Sequence, residues 1–204
     1  MLRGVFGPSK SQLIRQMGSA DNRAALQAVE KLKDNGWFRD GSLQWADLHL
    51  ANLQGAVLAR ANLEGANLGQ ANLCKAYLGE TILRGADLRQ ASFKGANLRQ
   101  VVLESAVLSG ADLTEAYLAV ADLRDADLSH SCLQAANLWQ ARLQGAKLIH
   151  ADLRQANLYA AEFDANTILP DGSYWMAKTD MERFTDPAHP AFWSAPSKNG
   201  HVGP

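Results

Sequence analysis

Two histidines, His130 and His150, stand 20 residues apart and could share a metal ion if the fold stacks residues at that spacing. His130 also lies two residues before Cys132, so a base stands close to a thiol that could act as a nucleophile. A metal site needs further ligands, for which only Asp125 and Asp127 are nearby, and a nucleophile needs an oxyanion hole. We therefore expect ordinary surface histidines, with no metal, cofactor or catalytic residue.

A five-residue repeat must position these side chains. Residues 46–165 divide without interruption into 24 blocks of five, as in "ANLEGANLGQANLCKAYLGE" at 61–80. The third residue of each block is Leu in 22 cases and Phe in two, and the first is Ala in 21. Leu43 and Phe38 extend this register upstream, and Ile168 extends it by one step downstream.

The period of five predicts a coiled chain. Residues one and three of a block face the same way if the backbone between them is extended. The other two residues must then turn the chain, and Gly often stands at the fifth position, where a turn needs positive φ. A chain that turns in every block and keeps Leu inward must form a solenoid.

The sequence "ADLHLANLQGAVLARANLEGANL" resembles the pentapeptide-repeat family, whose consensus is A(D/N)LXX. This resemblance implies an all-β solenoid, a right-handed quadrilateral parallel β-helix with four blocks per coil and about six coils. Stacking at 20 residues would also alternate charge signs along one face, through Glu64, Arg84, Glu104 and Arg124. The Asp and Asn residues at the second positions are then consensus residues on a convex rod without a catalytic pocket, so we expect no enzyme.

The ends of a solenoid need covers, because their backbone groups have no partner strand. Residues 1–45 predict an α-helical N-terminal cap, with a short helix at 11–17 and a second helix that Ser19 or Asp21 begins and Gly36 ends. Residues 46–168 form the β-helix. Residues 169–204 predict an irregular C-terminal cap rich in Pro and aromatic residues, anchored by Trp175, Phe192 and Trp193.

Net charge, hydropathy and cysteine content limit the classes of binding partner and the cellular location that we expect. The net charge of −1 gives no overall field toward nucleic acid, and no apolar run is long enough to span a membrane. Cys74 and Cys132 are expected nearly three coils apart, too far to form a disulfide, so a cytoplasmic location is the default expectation.

Apolar and aromatic residues replace the outward Asp or Asn at several positions and predict an interaction surface for an unknown protein partner. With four blocks per coil, two neighbouring faces carry them. Ladders that only stabilise neighbouring strands are the alternative role for these residues. The predicted surface consists of Val57, Tyr77, Ile82, Val102, Tyr117, Trp139 and Tyr159.

The number and placement of charged residues bear on two other functions, imitation of DNA and binding of nucleic acid. The resemblance implies an alternative, a gyrase-binding protein of the quinolone-resistance type that imitates DNA as a dimer. Yet residues 46–165 hold 10 basic and 13 acidic residues, too few net negative charges for a DNA mimic. The tail does not resemble a dimerisation helix, so a homodimer is possible but is not indicated. Nucleic-acid binding is disfavoured because Arg84, Arg89, Lys94 and Arg99 would encircle one coil.

Overall fold

Residues 20 apart pair side by side in the computed structural model, which describes residues 7–194. Parallel bridges join Asp47 to Asn67 and continue at this spacing, and three further series begin in the next three blocks. Four blocks therefore complete one coil, and the chain forms a β-solenoid. The outer ends of the two predicted terminal segments, residues 1–6 and 195–204, lie outside the described residues. We number the faces by these series: face 1 runs through Asp47, face 2 through Asn52, face 3 through Val57 and face 4 through Asn62.

Backbone hydrogen bonds connect each coil to the next and close each turn. The N–H of Leu48 donates to the carbonyl of Asn67 at 2.7 Å, and the N–H of Asn67 donates to Ala46 at 2.9 Å. Within the turn, the N–H of Ala51 donates to Leu48 at 3.0 Å, and Leu50 has a φ of 61°. A single positive φ at the third turn residue is typical of a type II turn. The extended part of each block is consequently short, and its bridges lie at the second position.

The core is a stack of leucines and alanines along the axis of the coils. The third-position Leu side chains from Leu48 to Leu153 are buried, as are the first-position Ala side chains between them. Each buried Leu contributes roughly 1.5–3 kcal/mol relative to an exposed one. Thr81, one of the few polar residues inside, donates its hydroxyl to the carbonyl of Leu58 at 2.8 Å. The interior is therefore mainly apolar, and this inward hydroxyl is paired with the backbone.

The repeat register shifts by one residue at its downstream end. Ile168 bridges Lys147, 21 residues before it, so it occupies a second position and is only half-buried. Thr167 and Leu169 take the inward first and third positions and are both buried. The prediction that Ile168 extends the inward register is therefore wrong, because the chain accommodates one additional residue after Phe163.

Two helices precede the coils. α1 spans Lys10–Met17, and Ser9 begins it with a capping box. α2 spans Asn22–Asp34, and the side chain of Asp21 caps its N-terminus. Gly36 follows the end of α2 with a φ of 73°.

Both helices contact the first coil. The N–H of Asn52 donates to the carbonyl of Ser19 at 2.9 Å, and the side-chain amide of Asn22 donates to the carbonyl of Asn52 at 3.0 Å. Met17 and Leu32 are completely buried in the same cluster as the first core leucines. The apolar core thus continues from the helices into the coils.

A short segment after the repeats covers part of the last coil. It contains one helical turn, α3 at Glu182–Thr185, whose Phe184 is buried. The N–H of Gln155 donates to the carbonyl of Thr185 at 2.7 Å. Trp175 stacks on Phe163 with ring centroids 6.0 Å apart.

Two of the three predicted aromatic anchors, Trp175 and Trp193, pack against the core cluster. Trp193 packs edge-on against Phe184, with ring centroids 6.0 Å apart. Phe192 is only half-buried. Phe184, which is buried, is a further anchor that is not among the three predicted residues.

Candidate interaction surface

The outward Asp and Asn residues form hydrogen bonds within their own turns. Oδ1 of Asp112 accepts from the N–H of Thr114 at 3.0 Å, and Oδ1 of Asn137 accepts from the N–H of Trp139 at 3.0 Å. This bond to the residue two positions on is an Asx turn, and it explains why one residue type recurs at the second position. The same bond begins at Asp47, Asn52, Asn62, Asn67, Asn72, Asp87, Asn97, Asp122, Asp127, Asp152 and Asn157.

The apolar replacements at the second position give up this hydrogen bond. A Val, Ile or Tyr side chain has no oxygen that can reach the N–H two residues on. A net contribution of about 1 kcal/mol is typical for a bond of this kind. Five residues of the predicted surface make this replacement: Val57, Tyr77, Ile82, Val102 and Tyr117.

The structure places these five residues on two adjacent faces, as the spacing of 20 residues predicts. Val57 bridges Tyr77 on face 3, and Ile82 bridges Val102 on face 4. Tyr77 is 57% exposed, whereas Val102 is half-buried. Tyr117 lies further along face 3, with Asn97 between it and Tyr77 in the bridge series. The predicted surface is therefore divided into two patches.

We call the first the lower patch, which consists of Val57, Tyr77, Ile82 and Val102. It lies close to the N-terminal helices. A cavity of about 160 Å³ separates Val57 from Leu26 and Val29 of α2. Val57 nevertheless remains 43% exposed, so α2 borders this patch without covering it.

We call the second the upper patch, which consists of Tyr117, Trp139 and Tyr159 on face 3. All three side chains are exposed, Tyr159 by 74%. The three blocks that carry them read "AYLAV", "ANLWQ" and "ANLYA" and contain no charged residue. An exposed aromatic group without charges is the composition found at the centres of protein interfaces.

Face 4 carries a ladder of ion pairs beside these patches. Arg84 Nη2 lies 2.8 Å from Glu104 Oε2, and Arg124 Nη2 lies 3.5 Å from the same oxygen. These contacts confirm the alternation predicted at 20-residue spacing, except that Glu64 accepts from the amide of Gln44 at 2.9 Å. The Arg124 side chain also lies 2.6 Å from Asp122, a hydrogen bond that lowers the pKa of that carboxyl group.

The histidines stack as their spacing predicts. The ring centroids of His130 and His150 are 5.0 Å apart, and His150 stacks on Trp193 at 6.3 Å. Between residues 7 and 194, no three His, Cys, Asp or Glu side chains come close enough together to hold a metal ion. Cys74 and Cys132 are both free, and the Cys132 sulfur lies 3.2 Å from the Thr114 hydroxyl.

A polar notch on face 1 is a feature that the sequence-based predictions do not include. Gly69 leaves a gap of about 410 Å³ between His49 and Arg89, one coil to either side. The Arg89 side chain pairs with Asp87 at 2.5 Å, and both residues line the gap. The signal in the sequence is a Gly at the fourth position of a block, with a large polar side chain 20 residues before it and another 20 residues after it.

No helix within the described part of the chain has the length and apolarity to cross a bilayer.

The comparisons with known proteins give one family and several solved structures. The pentapeptide repeats model matches eight copies, within residues 42–79, 81–119, 102–140, 121–158 and 140–164. No curated protein matches the chain.

Three solved structures illustrate the likeness. HetL, a pentapeptide repeat protein involved in heterocyst differentiation regulation in the cyanobacterium Nostoc sp. PCC 7120, is 33% identical over 63% of this chain and 70% of its own, with a TM-score of 0.44. Rfr23 from the cyanobacterium Cyanothece 51142 is 28% identical over 61% and 64%, with a TM-score of 0.40. QnrB1, a plasmid-mediated fluoroquinolone resistance protein, is 17% identical over 62% and 70%, with a TM-score of 0.42.

Proposed function

Because the chain belongs to the pentapeptide-repeat family, whose model matches it in eight copies, we propose that it acts without catalysis as a scaffold that binds a protein partner. The observation that carries the proposal is the upper patch of Tyr117, Trp139 and Tyr159. Its three aromatic side chains are exposed. The blocks that carry them, one on each of three consecutive coils of face 3, contain no charged residue. Tyr and Trp are the residues that most often dominate binding energy at interfaces.

The absence of catalysis is part of the proposal, and the electrostatics support it. Within the described residues, each carboxyl pKa that departs clearly from its ordinary value is lowered. Hydrogen bonds lower these pKa values. The bond from Arg60 is the main cause at Glu80, and the bond from the N–H of Gly145 is the main cause at Asp164. A general acid at neutral pH needs the opposite shift, which burial away from cations would produce.

The proposed scaffold is a right-handed rod of about six coils, with a covering segment at each end. At the first coil the support is the bond from Asn52 to Ser19, and at the last it is the bond from Gln155 to Thr185. Covered ends leave the faces as the surfaces on which a partner can bind. We propose a cytoplasmic location, since Cys74 and Cys132 are free thiols.

A capture experiment tests the proposal. The purified full-length chain is tagged and incubated with a lysate of its native cells, and bound proteins are identified by mass spectrometry. Trp139→Ala combined with Tyr159→Ala is expected to lose a reproducible partner. Trp45→Ala is the matched control, because Trp45 is 76% exposed but lies on another face. A partner retained by the double variant, or the absence of any partner with the wild type, contradicts the proposal.

The gyrase-binding alternative is weaker because of the ion-pair ladder on face 4. Arg84, Arg124 and Arg142 neutralise the carboxylates beside them, so this face offers no continuous negative stripe. Duplex DNA carries about one charge per 1.7 Å, which a mimic must approach. A gyrase supercoiling assay on the same preparation decides this point, since inhibition would favour the alternative.

A further inference from the structure

Three arginines lie near a single carboxylate at the corner between faces 3 and 4. Arg60 donates from Nε and Nη2 to the two carboxylate oxygens of Glu80, both at 3.0 Å. Arg39, from the segment after α2, lines one surface cavity with Glu80, and the backbone carbonyl of Arg99, from the next coil, accepts from the N–H of Glu80 at 2.9 Å. The corner thus carries three positive charges against one negative charge, although the whole chain has a net charge of −1.

Two of these arginines have no carboxylate partner among the described residues. Glu80 is already occupied by Arg60 in a two-pronged pair, and neither Arg39 nor Arg99 forms an ion pair between residues 7 and 194. Arg39 also lines a surface cavity of about 330 Å³, together with Arg60, Asn62, Glu80 and Ile82. An anionic group that enters this cavity would meet the Arg39 guanidinium group, whose geometry suits a paired contact with a carboxylate.

The lower patch adjoins the same corner and adds an apolar contact area. Tyr77 lies three residues before Glu80 and is 57% exposed, while Ile82 lies two residues after it and lines the cavity. Val102 continues this area on the next coil, bridged to Ile82. Positive charge and exposed apolar surface therefore occur within one small region.

We propose that this corner docks an acidic segment of a protein partner that carries a large apolar side chain. Its carboxylates pair with Arg39 and Arg99, and its apolar side chain packs on Tyr77 and Ile82. The inference rests on the proposed scaffold function, because it assigns partner chemistry to the lower patch of the same surface. A peptide fits better than a nucleic acid, since a phosphate backbone needs cations aligned along a groove and gains little from apolar side chains.

Fluorescence anisotropy with the full-length chain tests the partner chemistry directly. The probe is a short fluorescein-labelled peptide of Glu residues with a central Leu-Phe pair. Two matched probes replace Glu by Lys, or Leu-Phe by Ser-Ser. We expect binding of the first probe only, weakening with added salt. Arg39→Gln and Arg99→Gln are each expected to lower its affinity about tenfold, the effect of one charge-assisted hydrogen bond.

Matched variants distinguish docking at this corner from a general attraction of acidic peptides to exposed cations. Lys94→Gln is the control, because Lys94 is an exposed cation in the same coil and block position as Arg99, but on face 2. It should bind the probe as the wild type does, whereas Ile82→Ser should bind it weakly. Equal binding of the Lys peptide, or unchanged affinity in Arg39→Gln with Arg99→Gln, overturns the inference. So does tighter binding of a short duplex DNA or of phosphatidylserine vesicles. None of these outcomes affects partner capture through Trp139 and Tyr159, which tests the scaffold proposal separately.

Discussion

At the scale of single residues, the fifth position of each block shows what the turn demands. The frequent glycine at this position predicts a need for positive φ. Leu50, with a φ of 61°, and many other non-Gly residues adopt the same conformation, so the turn imposes it on any residue type. Two glycines have an additional role. A Cβ on Gly65 would lie 2.3 Å from the ring of Trp45, and one on Gly145 would lie 2.2 Å from Asp125 Oδ1.

Gly65 and Gly85 allow the effect of space to be separated from that of φ. Gly85→Ala adds a Cβ in open space at a φ of 61°, and should cost about 1–2 kcal/mol, the penalty for a left-handed Ala. Gly65→Ala should cost more, since the Trp45 ring must also move. Urea denaturation measures both, and Trp45→Ala combined with Gly65→Ala should bring the cost of the glycine change back to that of Gly85→Ala. Equal costs for the two single variants would show that the Trp45 contact is irrelevant.

Asp122 should make the stability of the protein sensitive to acid. Its hydrogen bond with Arg124 lowers the carboxyl pKa in the folded state. The stabilisation is therefore present above the unfolded pKa and is lost as the pH falls through the lowered folded pKa. Asp122→Asn keeps an oxygen for the turn but removes the charge. It should lower the free energy of unfolding at neutral pH by up to about 1 kcal/mol.

Urea denaturation across a pH series checks this prediction. The difference between Asp122→Asn and the wild type should begin to shrink below about pH 4, where the carboxyl group of the unfolded chain becomes protonated. It should vanish only below the lowered pKa of the folded state. Asp127→Asn is the control, because Asp127 also accepts within its turn but makes no ion pair among the described residues. A constant difference across the series would contradict the assignment of the effect to charge.

At the scale of elements, Asp164 explains how the last coil absorbs its additional residue. In the earlier coils, the N–H of the fifth residue of a block donates to a backbone carbonyl of the next coil, as Gly65 does to Arg84. Here Asp164 Oδ1 accepts from the N–H of Gly145 at 2.8 Å and also from the N–H of Asn166 and the hydroxyl of Thr167. The side chain thus replaces one backbone contact of the ladder and allows Leu169 to reach the core.

Replacement of Asp164 should loosen this junction. Asp164→Ala leaves the Gly145 N–H without its acceptor, and we expect a loss of about 1–2 kcal/mol in the free energy of unfolding. Asp164→Asn retains one oxygen and should lose less. Thermal and urea denaturation of the two variants measure the difference. If both variants are as stable as the wild type, the carboxylate has no structural role in the shifted register.

The sequence predicts regular parts of the molecule better than irregular ones. The five-residue pattern predicts the coil of 20 residues, and Asp21 and Gly36 predict the ends of α2, because each depends on local geometry. The shift at Ile168 is not predictable, since Ile168 and Leu169 are both apolar and the deciding contact is a side-chain hydrogen bond. The sequence also does not predict that Arg39, Arg60 and Arg99 lie near Glu80 at the corner between faces 3 and 4. Arg39 lies in a segment without repeats, so no register places it beside Glu80.

At the scale of the whole molecule, the coils form a stack in which each one contacts only its neighbours. In such a stack, stability is approximately the sum of the stabilities of the coils and of the contacts between successive coils. The terminal coils have a neighbour on one side only. They depend on the contacts made by α1 and α2 at one end and by the segment around Phe184 at the other. Loss of a terminal contact should therefore act locally.

Phe184→Ala tests this local dependence by amide hydrogen exchange and mass spectrometry. Removal of a buried Phe side chain costs about 3–5 kcal/mol, and in a stack of coils that loss falls first on the last coil. We expect faster exchange across residues 146–165, including the N–H of Gln155 that donates to Thr185, and unchanged exchange across residues 46–65. Leu98→Ala is the comparison variant, because it leaves a cavity in a middle coil. It should raise amide exchange in the coils on both sides of residue 98. A uniform increase along the chain in Phe184→Ala would mean that the rod unfolds as a single unit and that the covering segment stabilises all coils equally.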